Sequence, residues 1–326
     1  MGQFLSLVWR MWKSKEAPTR SPNSETPILL ENLGIESVVN FFSAFSQIEI
    51  LEYCLGYEKP GAPDPAEDVV LIALKCRSLD EEPHPLLEVG VHFISRCDAK
   101  EVLEKPGPHS LKILRRIAYS HTIIKDNAHY TNRLPNPHEA EINRFGATRF
   151  VSKDDQKDLL EQIFGQTTSS GSPTASESSI PILCPVVLLS YDVPQWHTLL
   201  DTFKFDSHMG KNVVAVISTK RIASEPGYRW GSATTTLSQL TQELEIEYPA
   251  QQSASDQAAY ALIDAIQLVM RPKIPLARES IQSVINHTML SSQSEIPWWG
   301  EKDFCTMCGE SGHRRLMCRF QGIPME

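Results

Sequence analysis

Three cysteines and a histidine near the C-terminal end restrict this chain more than any other feature. Cys305, Cys308, His313 and Cys318 follow the spacing C-x-x-C-x4-H-x4-C, with Gly309 after the second cysteine and Gly312 just before the histidine. Three thiolates and one imidazole close a tetrahedral shell around a d10 ion, so the spacing predicts a structural Zn2+ and not a metal with an open, reactive position. The stretch that holds them, 298–326, is too short to bury a core, so metal binding must supply its folding energy. A tail that unfolds without zinc, beside a main domain whose melting barely changes, is the expectation. The glycines suit the tight turns that the ion requires. Buried cysteines beside a surface histidine, the bland alternative, leave the register unexplained.

The pattern resembles the zinc knuckle, a module that in many proteins grips single-stranded RNA or DNA. That resemblance implies base and phosphate contacts from Phe304, Arg314, Arg315, Arg319 and Phe320, with Trp298 and Trp299 flanking the site. Thr306 stands where many knuckles place a base-stacking aromatic, and Glu301, Asp303 and Glu310 nearly cancel the arginines. A protein partner therefore stays open beside RNA or single-stranded DNA.

At 326 residues, 41% hydrophobic and 22% charged, the chain has material for one large domain plus appendages. Its net charge of -9 excludes a protein that coats nucleic acid by bulk electrostatics, so such binding must be local. Cys54, Cys76, Cys97 and Cys184 lie in or beside apolar runs and read as buried thiols, which suits a reducing, intracellular compartment, cytoplasmic or nuclear. No apolar run reaches the roughly eighteen residues that a membrane-spanning helix needs. Met1, Gly2 and Ser6 fit the N-myristoylation context M-G-x-x-x-[ST], with Gly2 as the acyl site. Across 1–20, Trp9, Trp12, Arg10 and Lys13 would add the second signal that peripheral membrane contact requires. A terminus that packs on the domain or frays is the competing reading, and both stay open.

Residues 21–65 read as a linker followed by a helical prelude: a Pro/Ser/Thr-rich stretch to about residue 31, then helical spacing from Ile35 to Tyr57 with a break near Gln47. Apolar runs predict strands at Val69–Cys76, Leu86–Ile94, His121–Ile124, Ile182–Leu189 and Val213–Ile217. Helical patterns fall at Asp154–Phe164, Trp196–Phe203, Thr236–Leu244 and Asp256–Met270, and a Ser/Thr/Gly tract at 165–179 reads as a disordered insertion. This alternation predicts an α/β sheet domain over 66–272, followed by a helix and linker at 273–297.

Several segments of that domain resemble a family. DVVLIALKCRSLDEEPHPLLEVGV (Asp68–Val91) resembles the first two strands of DEDDh-type 3′-to-5′ exonucleases, whose RNase H-like fold is a mixed sheet flanked by helices. HTIIKDNAHYTN (His121–Asn132) and NRFGATRFVS (Asn143–Ser152) look like the fungal Gfd-type exonuclease-like domain. LLSYDVPQWHTLL (Leu188–Leu200) and SASDQAAYAL (Ser253–Leu262) resemble its later acidic motifs. The resemblance implies four carboxylates holding two divalent metals, with a histidine serving the attacking water. At the matching positions this chain has Ala73, Lys75, Trp196 and Gln257 for the carboxylates and Gln252 for the histidine. The implied catalytic set is degenerate, which points to a pseudo-exonuclease. Glu88, Asp192 and Asp256 lie near the lost positions and support the alternative of a divergent metal-dependent exonuclease, although a one-residue slip to Asp256 turns a helical side chain by about 100°. Resemblance also makes Ile123–His129 a substrate-facing loop. Ser110, His121 and Asp126 lack the ordered context of a hydrolytic triad.

Overall fold

The computed structural model describes residues 26–82, 84–134, 136, 141–167, 183–192, 196–205, 210–225, 235–275, 277–294, 297 and 299–319. The N-terminal acyl context with Gly2, most of the Ser/Thr/Gly tract, Trp298 and Phe320 lie outside them. Six strands form one sheet in the order β4-β3-β2-β1-β5-β6. They are β1 (Val70–Ser78), β2 (Leu86–Ser95), β3 (Ala118–Ile124), β4 (Thr148–Val151), β5 (Val186–Ser190) and β6 (Val213–Ser218). β1 runs antiparallel to β2, and β2 antiparallel to β3. The chain then crosses over so that β5 lies parallel to β1, and β6 parallel to β5. This is the mixed α/β sheet that the RNase H-like resemblance implies, with β4 added parallel to β3 at one edge.

β1 reads as a nearly unbroken apolar run because both of its faces are covered. Leu71 and Ala73 face a core shared with Val187 and Leu189 of β5, while Ile72, Leu74 and Cys76 face the other core. The first core is filled by α9 (Ala254–Met270), which is buried almost all round, together with α1 (Thr26–Ser43), α2 (Gln47–Cys54) and α10 (Ile281–Ser294). Each fully buried Leu or Ile of α9 contributes on the order of 2 kcal/mol. The second core holds Leu160, Ile163 and Phe164 of α5 (Lys153–Phe164) and Leu199 and Phe203 of α6 (Trp196–Phe203). The remaining helices are short: α3 (Arg96–Leu103), α4 (Leu111–Leu114), α7 (Thr219–Ser224) and α8 (Leu237–Glu243).

Helix α1 begins at Thr26, inside the stretch expected to be linker; Pro27 suits a first turn, where its missing N–H costs no hydrogen bond. Cys54, Cys76 and Cys184 are buried as expected, but Cys97 is exposed on the outer side of the first turn of α3. α9 lies very close to β2. A Cβ added at Gly90 would stand 2.3 Å from the Ser255 Cα, which is backbone and cannot rotate away. Beside it, His92 Nε2 donates to the Ser255 carbonyl at 2.8 Å, and burial pushes the His92 pKa down to about 4, so the ring is neutral.

A second buried group is held in its neutral form further along α9. Thr241 Oγ1 lies 2.8 Å from the Leu237 carbonyl and 2.6 Å from Asp264 Oδ2. The hydroxyl has one proton and the carbonyl can only accept, so a protonated Asp264 donating to Thr241 Oγ1 satisfies both contacts. Burial raises the Asp264 carboxyl well above the ordinary carboxylate range.

Two outcomes follow for stability. Gly90→Ala should destabilise the fold by about 1–3 kcal/mol in a denaturant melt, as expected for overpacking against backbone. A carboxyl whose folded pKa is raised contributes stability that is lost as pH rises above its unfolded value. Asp264→Asn should therefore raise the melting temperature at neutral pH, with an advantage that shrinks toward pH 4; a constant difference across pH would contradict the neutral-acid reading.

Candidate functional site

The sheet face beneath the first turn of α9 is where the family resemblance places its metal-binding carboxylates. Antiparallel register sets Ala73 opposite His92, Lys75 opposite Gly90 and Arg77 opposite Glu88, and paired residues share a face. Ala73 is fully buried in the first core. Lys75 is half-buried and makes no hydrogen bond or ion pair among the described residues. Burial, and after it the Arg77 guanidinium, holds its ammonium below the ordinary lysine range. Gln252 joins this face from the loop before α9: its carbonyl accepts from Arg77 Nη2, and its Nε2 donates to the Pro249 carbonyl. Gln257 is half-buried on the next part of the helix. Trp196 opens α6 beyond β5, and its side chain lies outside the described residues.

The neighbouring carboxylates are sealed in pairs. Glu88 is completely buried, 2.7 Å from Arg77 Nε and 2.8 Å from His121 Nε2. The arginine contact is an ion pair without hydrogen-bond alignment, since Glu88 Oε1 has no hydrogen-bond partner. An ionised carboxylate only accepts, so His121 carries a proton on Nε2, and its Nδ1 meets Thr148 Oγ1 at 2.9 Å. Asp256 is equally buried, and it accepts from the Arg144 backbone N–H and from Arg144 Nη1, both at 2.8 Å. Burial raises its pKa, and the Arg144 contacts oppose that shift. Asp192 stands apart, two-thirds exposed and 3.5 Å from Lys220. These acids form no metal-ligating group of three among the described residues.

The imagined triad residues are likewise engaged elsewhere. His121 belongs to Glu88, Asp126 caps the Lys153 N–H, and Ser110 is buried before α4.

A family model described as DNA polymerase III subunit epsilon-like, C-terminal domain (DEDDh_C), matches residues 70–268, more than half of the chain. The chain belongs to this DEDDh exonuclease-like family. A search of curated proteins found no match. The matched segment runs from the start of β1 almost to the end of α9 and contains the whole charged face.

Cys305, Cys308, His313 and Cys318 come together as expected, with all ligand atoms within 4.8 Å of one another and Cys308 Sγ 3.4 Å from His313 Nε2. Sulfur pairs around a tetrahedral zinc stand about 3.8 Å apart, so the donor set fits an ion with little movement. Gly309 and Gly312 take positive φ with open space around them, so their role is conformational.

The knuckle is not a free tail. Phe150 of β4 and Glu301 exchange both backbone hydrogen bonds, at 2.9 and 2.8 Å, which extends the sheet edge by one antiparallel bridge. Phe304 is 8% exposed, with its ring 5.6 Å from Phe150, and the Arg314 guanidinium lies 4.7 Å over the same ring. Lys125 pairs with Glu301 at 2.5 Å, Thr306 donates to Glu141 at 2.7 Å, Arg149 donates to the Pro297 carbonyl at 2.7 Å, and Arg315 reaches Asn132. Phe304, Arg314 and Arg315, expected to meet a base and phosphates, thus spend their contacts on the body; Arg319 remains exposed. The Ile123–His129 segment, expected to face substrate, ends β3 and begins a 3-10 helix, Lys125–Arg133; Ile123 and Ala128 pack with Phe150 and Phe304, while Asp126 and His129 are exposed. Nothing in the ligand spacing signals this docking, because its partners lie more than a hundred residues away on β4 and the 3-10 helix.

The docking corrects the expectation of independent melting. Removing the metal, or Cys308→Ser, should lower the main unfolding transition by several degrees, because the Phe150–Phe304 contact and the edge bridge are lost together. A body transition identical to that of native protein would show that the knuckle does not brace the sheet.

Proposed function

We propose that this chain is a non-cleaving member of the DEDDh exonuclease-like family, a scaffold that binds single-stranded nucleic acid and carries a structural zinc ion. The observation that carries the reading is the sealing of Glu88 and Asp256. Two-metal hydrolysis needs several anionic oxygens free to converge on hard cations. Here Ala73, Lys75, Gln252 and Gln257 supply none, and both remaining buried carboxylates already have arginine partners. Freeing either acid for a metal would leave its arginine partly buried and unpaired, at a cost of several kcal/mol. This argues against the divergent exonuclease built on Glu88, Asp192 and Asp256.

Zinc suits the Cys3His shell by ligand softness and count, and the site's closed coordination leaves no position for substrate. The knuckle's work in this reading is to hold the sheet edge. Likeness to the fungal Gfd-type domain in Asn143–Ser152, the stretch that supplies Arg144 and β4, is our reason to place the chain in that subgroup.

Incubation of purified protein with end-labelled single-stranded RNA or DNA and Mn2+ tests the reading. No shortening is expected beyond that of a Glu88→Ala control. Shortening that Glu88→Ala removes would establish the divergent exonuclease instead. Metal analysis of the same preparation should give one zinc per chain, and Cys308→Ser should lose it.

A further inference from the structure

The lost carboxylates leave a face of opposite sign. Its described charged groups are Lys75, Arg77 and Arg144 against Glu88 and Asp256. Arg77 is matched by Glu88 and Arg144 by Asp256, so the unmatched charge is that of Lys75. The residue is half-buried and so remains partly open to solvent. The lysine occupies the middle of the central strand, opposite Gly90, whose missing side chain lets the first turn of α9 close over the sheet. Lys75 is therefore a half-buried cation whose backbone is fixed in the sheet, on the face where the resemblance places the family's site.

We infer that Lys75 stands in for the absent metal ions and binds a phosphodiester of single-stranded nucleic acid without any divalent cation. The inference rests on the non-cleaving reading and moves the interface from the knuckle, where Phe304, Arg314 and Arg315 are engaged, to the sheet face. Charge chemistry supports it. An ammonium that is partly desolvated and, among the described residues, without a counterion is in an unfavourable state that a bound phosphate relieves, and a charge-assisted hydrogen bond in such a place is stronger than one in water. Phosphate contacts position a strand without reading its sequence, so the binding should be indifferent to base identity.

The test is fluorescence anisotropy of a 5′-labelled single-stranded oligonucleotide with the full-length, zinc-loaded protein. Mg2+ and Mn2+ are removed from the buffer by resin, since a dissolved chelator would strip the Cys3His site. The expected result is saturable binding that weakens with salt, is not strengthened by adding Mg2+, and is competed by inorganic phosphate. Lys75→Gln should weaken it about tenfold or more, the loss of one charged hydrogen bond, while Lys75→Arg retains most of it. Because Lys75 has no partner among the described residues, Lys75→Gln should melt with the native protein; if it does not, Lys75→Arg and phosphate competition on native protein still decide. Absence of binding by native protein, binding only with Mg2+, unchanged affinity in Lys75→Gln, or a loss that falls on Arg319→Ala instead would each overturn the inference. The same mixtures, given Mn2+ and run on a gel, separate the two readings. Shortened strands would remove the non-cleaving scaffold, whereas intact strands with no Lys75 effect would remove only the phosphate site.

Discussion

Glu88 is fully buried between Arg77 and His121, and that pairing sets the character of the whole sheet face. A carboxylate in this position is tolerable only with its charge answered at close range. The answer links β1 through Arg77, β2 through Glu88, β3 through His121 and β4 through Thr148, so one polar chain crosses four strands. Arg144 and Asp256 do the same between the loop before β4 and α9. In the family's implied chemistry these acids would lie beside sites for metal ions. In this chain their charge has become part of the architecture.

The edge strand shows a parallel change of use. β4 is four residues long and would be a weak edge by itself. Glu301 pairs with it, Phe304 and Arg314 cover the Phe150 ring, and the Lys125–Glu301 ion pair fixes the register. An open edge invites pairing with another chain, and covering it is a known remedy. The Cys3His cluster lies within the covering segment, so a metal held there would couple its occupancy to the sheet edge. Among the described residues no helix is long and apolar enough to cross a membrane.

Much of this was legible in the residues, for identifiable reasons. The runs at β1, β2 and β5 are apolar because the strands are buried on both faces, and the stripe of α9 reports its deep burial. The three cysteines and the histidine of the candidate metal cluster are close in sequence, so spacing alone located them. What stayed hidden depends on distance along the chain or on brevity. β4 is too short to show a period, and α3 has a polar composition that masks its helix. Arg144 and Asp256 are 112 residues apart, and no local pattern announces that they meet. The knuckle's arginines look like a phosphate-binding set in sequence because nothing there shows that Phe150 and Asn132 already occupy two of them.

The central claim is that the sheet face holds no pair of divalent cations. Titration of the zinc-loaded protein with Mn2+, followed by the paramagnetic signal of the free ion, tests it most directly. The account predicts that added Mn2+ stays free apart from weak surface association that salt removes. Two tightly held ions per chain, released by Glu88→Gln or Asp256→Asn, would contradict it.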